Sequence, residues 1–133
     1  DQWLGRWPMD RATVEAEQTM HVVRAADVLW RLEGDGQQMR VGLLASTEHL
    51  TVGRVVLQPG CDSGRRIHGG DLSVYVLDGT LNVRLPENEE GRWFELGPRD
   101  GFYVPEGVPY HFYNVTDAPA SFVFAVAPNY QPT

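Results

Sequence analysis

The sequence predicts an all-β protein, a sandwich or small barrel with a short arm in front of it, on three observations. Short runs rich in Val, Leu, Tyr and Phe recur along the whole chain. The chain's 14 glycines and 9 prolines fall mainly between those runs, where turns are needed. A helical apolar period is almost absent. Many short strands with regular turns are the pattern of sheets that close on one another.

In chain order, residues 1–20 read as an N-terminal arm and 21–133 as the β domain. Trp3, Trp7 and Met9 form an apolar lead-in that packs on the barrel or on a partner. The one helical pattern covers 11–20, where Asp10 can accept from the free amides of the first turn. Strands are expected near 21–23, 39–45, 50–58, 72–77, 81–85, 93–96, 102–104, 110–115 and 121–127. Turns fall at Pro59-Gly60, Asp78-Gly79, 87–91, 98–101 and 117–119, and the acidic run 87–90 is a solvated hairpin tip. Strand 72–77 is apolar on both faces, with Leu72, Val74 and Val76 on one and Tyr75 and Leu77 on the other. That composition predicts burial on both sides, one face lining the barrel and the other meeting a second sheet or subunit. Strand 81–85 alternates in the ordinary way, with Leu81, Val83 and Leu85 on one face and Asn82 and Arg84 on the other, and Arg84 is expected to be exposed.

Composition narrows the function. A chain of 133 residues is one domain's worth, large enough for a core without staples. Cys61 is the only cysteine, so no disulfide or thiolate cluster can form within the chain, and it reads as a small turn residue. A net charge of −7 argues against nucleic acid, which demands a clustered basic surface. No apolar run reaches the ~20 residues that span a bilayer and no signal peptide is evident, so no membrane partner and a cytoplasmic location are expected.

Two stretches carry more than fold. PGCDSGRRIHGGDLSVYVLDG at 59–79 and DGFYVPEGVPYHFYN at 100–114 resemble the paired motifs of the cupin superfamily, small double-sheet jelly-roll barrels. The first family motif runs Gly, five residues, His-x-His, three or four residues, Glu, six residues, Gly. Gly60 and Gly79 bracket it here, and counting from either end puts Arg66 and His68 at the histidine positions and Leu72 at the glutamate. In the second motif Pro105, Gly107 and Asn114 match, Arg99 replaces the leading Gly, and Tyr110 stands at the histidine position. The resemblance implies a jelly-roll barrel (a double-stranded β-helix), frequent homodimerisation and a pocket at the barrel mouth.

The same resemblance implies a metal held by three His and one Glu, and this chain offers Arg66, His68, Leu72 and Tyr110 in their place. Arginine is a permanent cation that only donates, and leucine has no donor atom. No cofactor is therefore expected. The alternative is a divalent Fe, Mn, Ni or Zn on His68 and His111, which needs a β-bulge to turn His111 inward, because neighbouring strand residues face opposite ways. Asp71, one residue before the lost glutamate, should also face away.

Arg66, His68, Leu72, Tyr110 and Phe112 are thus the expected ligand-binding set. Arg66 forks onto a carboxylate or phosphate, or folds over the rim to an acidic partner of its own. His68 and Tyr110 donate to a hydroxyl or carbonyl, or sit satisfied in the core. Leu72, Val74 and Phe112 give an apolar wall. The reading that follows is a metal-independent domain binding a small molecule such as a sugar or organic acid. The alternative is a cupin enzyme (isomerase, epimerase or lyase, and less so a dioxygenase) with His68 as base and Tyr110 as acid.

Overall fold

The computed structural model describes residues 22–85 and 92–131. The arm at 1–20, its helical pattern and the acidic tip at 87–90 lie outside the described residues. Among the described residues ten antiparallel strands form two sheets. They are β1 (Leu29–Glu33), β2 (Met39–Ser46), β3 (Thr51–Leu57), β4 (Asp62–Arg66), β5 (Gly69–Asp78), β6 (Leu81–Arg84), β7 (Trp93–Leu96), β8 (Gly101–Val104), β9 (Tyr110–Tyr113) and β10 (Ala120–Asn129). The larger sheet runs β1-β2-β3-β10-β5-β8 and the smaller β4-β9-β6-β7. Among the described residues no helix is long and apolar enough to cross a membrane.

Alternation decides what each strand buries. Val41 and Leu43 on β2, Val55 and Leu57 on β3, Leu72, Val74 and Val76 on β5, and Phe122, Phe124 and Val126 on β10 face inward. They meet Leu81, Val83, Leu96 and Phe112 of the smaller sheet in one core. Each such side chain, fully buried, stabilises the fold by about 1.5–3 kcal/mol relative to exposure. Eight of the expected strands match observed ones closely. The expected strand at 21–23 does not form over the described part, Val22 and Val23.

Among the described residues no second sheet covers the outer face of β5, where Tyr75 and Leu77 are 44% and 37% exposed; the other expected cover, a second subunit, stays a proposal. Apolar composition on both faces therefore does not by itself place a strand between two sheets.

The motif residues prove to be turn-makers. Gly79 has φ +78°, and a Cβ there would lie 2.3 Å from the Pro119 carbonyl, so the β5–β6 turn passes too close to the start of β10 for any side chain. Asn114 is buried at the end of β9. Its Nδ2 donates to the carbonyls of Leu57 (2.9 Å) and Ala118 (2.7 Å), and its Oδ1 accepts from the Thr116 amide at 3.0 Å. It thereby staples the turn before β10 to the end of β3.

Arg99, standing where the motif has glycine, keeps the glycine's backbone, with φ +72°. Its amide donates to the Val76 carbonyl at 2.8 Å, which fixes the turn in that shape. A left-handed L-residue costs about 1–2 kcal/mol, whereas glycine gives back roughly half of that through its looser unfolded chain. Arg99→Gly is expected to raise stability by about 1 kcal/mol. A urea midpoint that stays put or falls would refute the assignment of strain to this residue.

Candidate functional site

The site grows from two strands absent from the sequence-based reading. β4 is polar, Asp-Ser-Gly-Arg-Arg, and lacks the apolar alternation by which strands are recognised. Its pairing with β9 slips between Asp62 and Arg65, three steps on β4 answering two on β9. Gly64 takes φ +69° in this bulge. Beyond it Arg65 lies opposite His111, and Arg66 lies opposite Tyr110. The bulge thus delivers Arg66 to the inner side. β1, among the described residues an edge strand paired only to β2, places Glu33 opposite Met39 and hence on the same inner side.

Arg66 and Glu33 meet at the barrel mouth. Nη2 of Arg66 donates to Oε1 of Glu33 at 2.8 Å and to the Tyr130 hydroxyl at 2.8 Å. The Tyr130 hydroxyl in turn donates to the same Oε1 at 2.7 Å, closing a triangle. The side chains of Arg66 and Glu33 are 17% and 9% exposed, so the pair is largely withdrawn from water. Oε2 of Glu33 is buried and has no hydrogen-bond partner. Burial works to lower the Arg66 pKa, but Tyr130, Tyr110 and Glu33 together raise it above its ordinary value. The guanidinium is a fixed cation.

His68 lies just inside this triangle. Its Nδ1 bonds the Tyr130 carbonyl and its Nε2 lies 2.5 Å from the Tyr110 hydroxyl. A carbonyl can only accept, so Nδ1 carries the proton and Nε2 takes the phenolic hydrogen. Burial chiefly, helped by the nearby Arg66 charge, pushes the His68 pKa down to about 4, against the pull of the Tyr130 carbonyl. At neutral pH the imidazole is uncharged. Burial also raises the pKa of the Tyr110 phenol, opposed by the Arg66 charge, and raises that of Tyr130 well above its usual value. Both phenols stay protonated.

The expected site residues divide here. Arg66 and His68 line a mouth cavity of about 200 Å³ together with Glu33, Arg65, Ile67, Tyr130 and Gln131. Leu72, Tyr110 and Phe112, expected among the ligand-binding residues, surround an interior void of only about 10 Å³. That is space for about one water. The Tyr130 ring, stacked on Phe124 with centroids 5.5 Å apart, helps to fill that interior. The open space at the mouth therefore lies outside Leu72 and Phe112, which pack in the core.

Metal ligation fits these residues poorly. His111 faces the outer side of the smaller sheet, its Nε2 3.1 Å from Asp62 Oδ1 and its ring stacked 4.0 Å from that of Tyr113. The bulge lies in β4 and not at His111, so no inward turn pairs it with His68. Asp71 faces outward as expected and accepts from the Glu106 amide at 2.9 Å. Both ring nitrogens of His68 are engaged by protein groups. Among the described residues no three His, Cys, Asp or Glu side chains converge on a common point.

Glu33 and Tyr130 escaped the sequence reading. Glu33 is separated from Arg66 by 33 residues and belongs to no motif; its one signal was the need of a buried arginine for an acidic partner. Tyr130 follows the last strand in a Pro- and Asn-rich tail that reads as a simple terminus.

The profile of the cupin domain matches residues 53–126. Several solved structures share the architecture. The polyketide cyclase RemF from Streptomyces resistomycificus superposes with a TM-score of 0.70 at 21% identity, over 82% of this chain and 80% of that one. KdgF from Halomonas gives 0.67 at 19% identity, over 83% and 94%. A cupin-superfamily sugar phosphate isomerase from Silicibacter pomeroyi gives 0.65 at 24% identity, over 80% and 75%. At such identities the likeness is one of fold. No curated protein sequence matches significantly.

Proposed function

Because the chain belongs to the cupin domain family, its profile covering more than half of the residues, we propose that it is a small-molecule-binding cupin whose site is the barrel mouth and whose ligand is a sugar or organic acid. The observation that carries this reading is the mouth cavity of about 200 Å³ with a fixed cation, a carboxylate, a phenol and a neutral imidazole converging on it. Concave sites with a few convergent polar groups are where small ligands bind. Solved structures of the same fold include a sugar phosphate isomerase and a polyketide cyclase, which is consistent with small organic ligands.

Binding is favoured over catalysis by the state of His68. A general base needs a lone pair within reach of substrate, and the Nε2 lone pair is taken by Tyr110 on the core side. Metal independence follows from the donor set, with a cation at one family ligand position and a hydrocarbon at another. A thermal-shift screen of sugars and organic acids tests the reading, since a ligand that binds only the native state must raise its apparent stability. At 100 times its dissociation constant such a ligand adds about 2.7 kcal/mol. No shift from any sugar or acid at millimolar concentration would sink the proposal. Elemental analysis of protein purified without chelator is expected to show no stoichiometric Fe, Mn, Ni or Zn.

A further inference from the structure

The triangle at the mouth divides as well as decorates the site. A second cavity of about 280 Å³ is lined by Arg31, Leu32, Glu33, Gly34, Gln37, Arg66 and Gln131. It shares Glu33, Arg66 and Gln131 with the first cavity of about 200 Å³. The Glu33–Arg66 bridge is thus a partition between two chambers. Opening the bridge would join the two into one larger space at the mouth.

The bridge is also an incomplete one. A carboxylate and a guanidinium pair best as a fork, two parallel N–H···O bonds. Here Nη2 of the guanidinium donates at once to Oε1 of Glu33 and to the Tyr130 hydroxyl. Oε1 accepts twice while Oε2, buried, accepts nothing. A buried acceptor left without a donor costs about 1–3 kcal/mol, and more when charged. The element that carries Glu33 is β1, most of whose residues are exposed and which, among the described residues, is an edge strand paired only with β2. Such edges are among the least stable parts of a fold. Arg66, by contrast, is fixed on the inner side by β4 and its bulge.

We propose that Glu33 is an internal stand-in for the ligand: a small molecule bearing a carboxylate takes its place on Arg66, forking onto the guanidinium with both oxygens and joining the two chambers. This rests on the mouth being the ligand site and names the class of ligand, a small carboxylic acid, with Glu33 as its built-in competitor. Glu33 then sets specificity by exclusion. A neutral molecule cannot displace it, because leaving Arg66 without an anion in this withdrawn position is unfavourable.

The competitor relationship has a signature that a direct binding contact lacks: weakening Glu33 must strengthen binding. The test is calorimetric titration of gluconate, lactate and, as the neutral probe, glucose into the parent protein, Glu33→Gln and Arg66→Met. Glu33→Gln keeps an acceptor for Tyr130 and Arg66 while removing the charge, and circular dichroism checks its fold. At least one of the two acids is expected to bind Glu33→Gln tenfold or more tightly than the parent, and to lose binding in Arg66→Met. The proposal falls if both acids bind Glu33→Gln no better than the parent, or if Arg66→Met binds them unchanged. Glucose binding the parent while neither acid gains from Glu33→Gln would leave the mouth as a ligand site and reject the stand-in. Silence from all three probes in all three proteins would count against both.

Discussion

Arg66→Met is expected to destabilise the domain by about 3–5 kcal/mol, the usual loss when one partner of a withdrawn ion pair is removed. The loss arises less from the missing attraction than from what remains. Glu33, 9% exposed, would keep only the Tyr130 hydroxyl, and its already unpartnered Oε2 would be joined by an under-satisfied Oε1. The double variant Glu33→Leu with Arg66→Met removes both charges and is expected to be more stable than Arg66→Met alone, since apolar replacement of a whole buried pair is often neutral. Urea unfolding of the parent, Arg66→Met, the single variant Glu33→Leu and the double variant gives the coupling directly. A loss below about 1 kcal/mol for Arg66→Met would put the bridge among solvent-screened surface pairs, and a double variant worse than the single would locate the defect in packing instead.

A second large effect is expected in acid. The native state holds His68 near pKa 4, whereas the unfolded chain restores it to about 6.5. Between those values the unfolded state binds the extra proton, so stability is fully present above about pH 6.5 and falls as the pH drops towards 4. A shift of this size corresponds to about 3 kcal/mol over that window. His68→Asn places an amide donor near the position of Nδ1 and cannot titrate. Its stability is expected to be lower than that of the parent at pH 7 and to depend less on pH between 6.5 and 4. The comparison cancels the carboxylates, which titrate in both proteins. Parallel pH profiles for the two would show that His68 is not the group responsible.

The architecture was largely legible in the chain because alternation and turn chemistry are local. Leu72, Val74 and Val76 announce β5 by themselves, and Gly79 marks its end because only glycine tolerates the approach of Pro119. The site was legible only in half. Arg66 and His68 lie in a motif whose spacing can be counted, and both reach the mouth cavity. Glu33 and Tyr130 are joined to them by contacts across 33 and 64 residues, for which no local pattern exists. β4 escaped notice because its inward residue Ser63 is polar, buried, and bonded through Oγ to the Phe112 amide at 2.9 Å. Its place in the barrel depends on a hydrogen bond rather than on apolar periodicity. The fullness of the interior was likewise hidden, since it depends on how Tyr130 folds back onto Phe124.

The staple made by Asn114 has a consequence for chemical modification. Asn114-Val115-Thr116 spells the acceptor tripeptide for N-linked glycans. The nitrogen that would carry the sugar is Nδ2, and both of its hydrogens are given to the Leu57 and Ala118 carbonyls in a residue only 1% exposed. An oligosaccharyl transferase acts on accessible, extended chain, so the folded domain is closed to it. Attachment before folding would remove one of those donors and set a bulky glycan where β9 must meet the end of β3. The turn needs asparagine for its two donors, and the folded domain offers no free amide at Asn114 to carry a glycan.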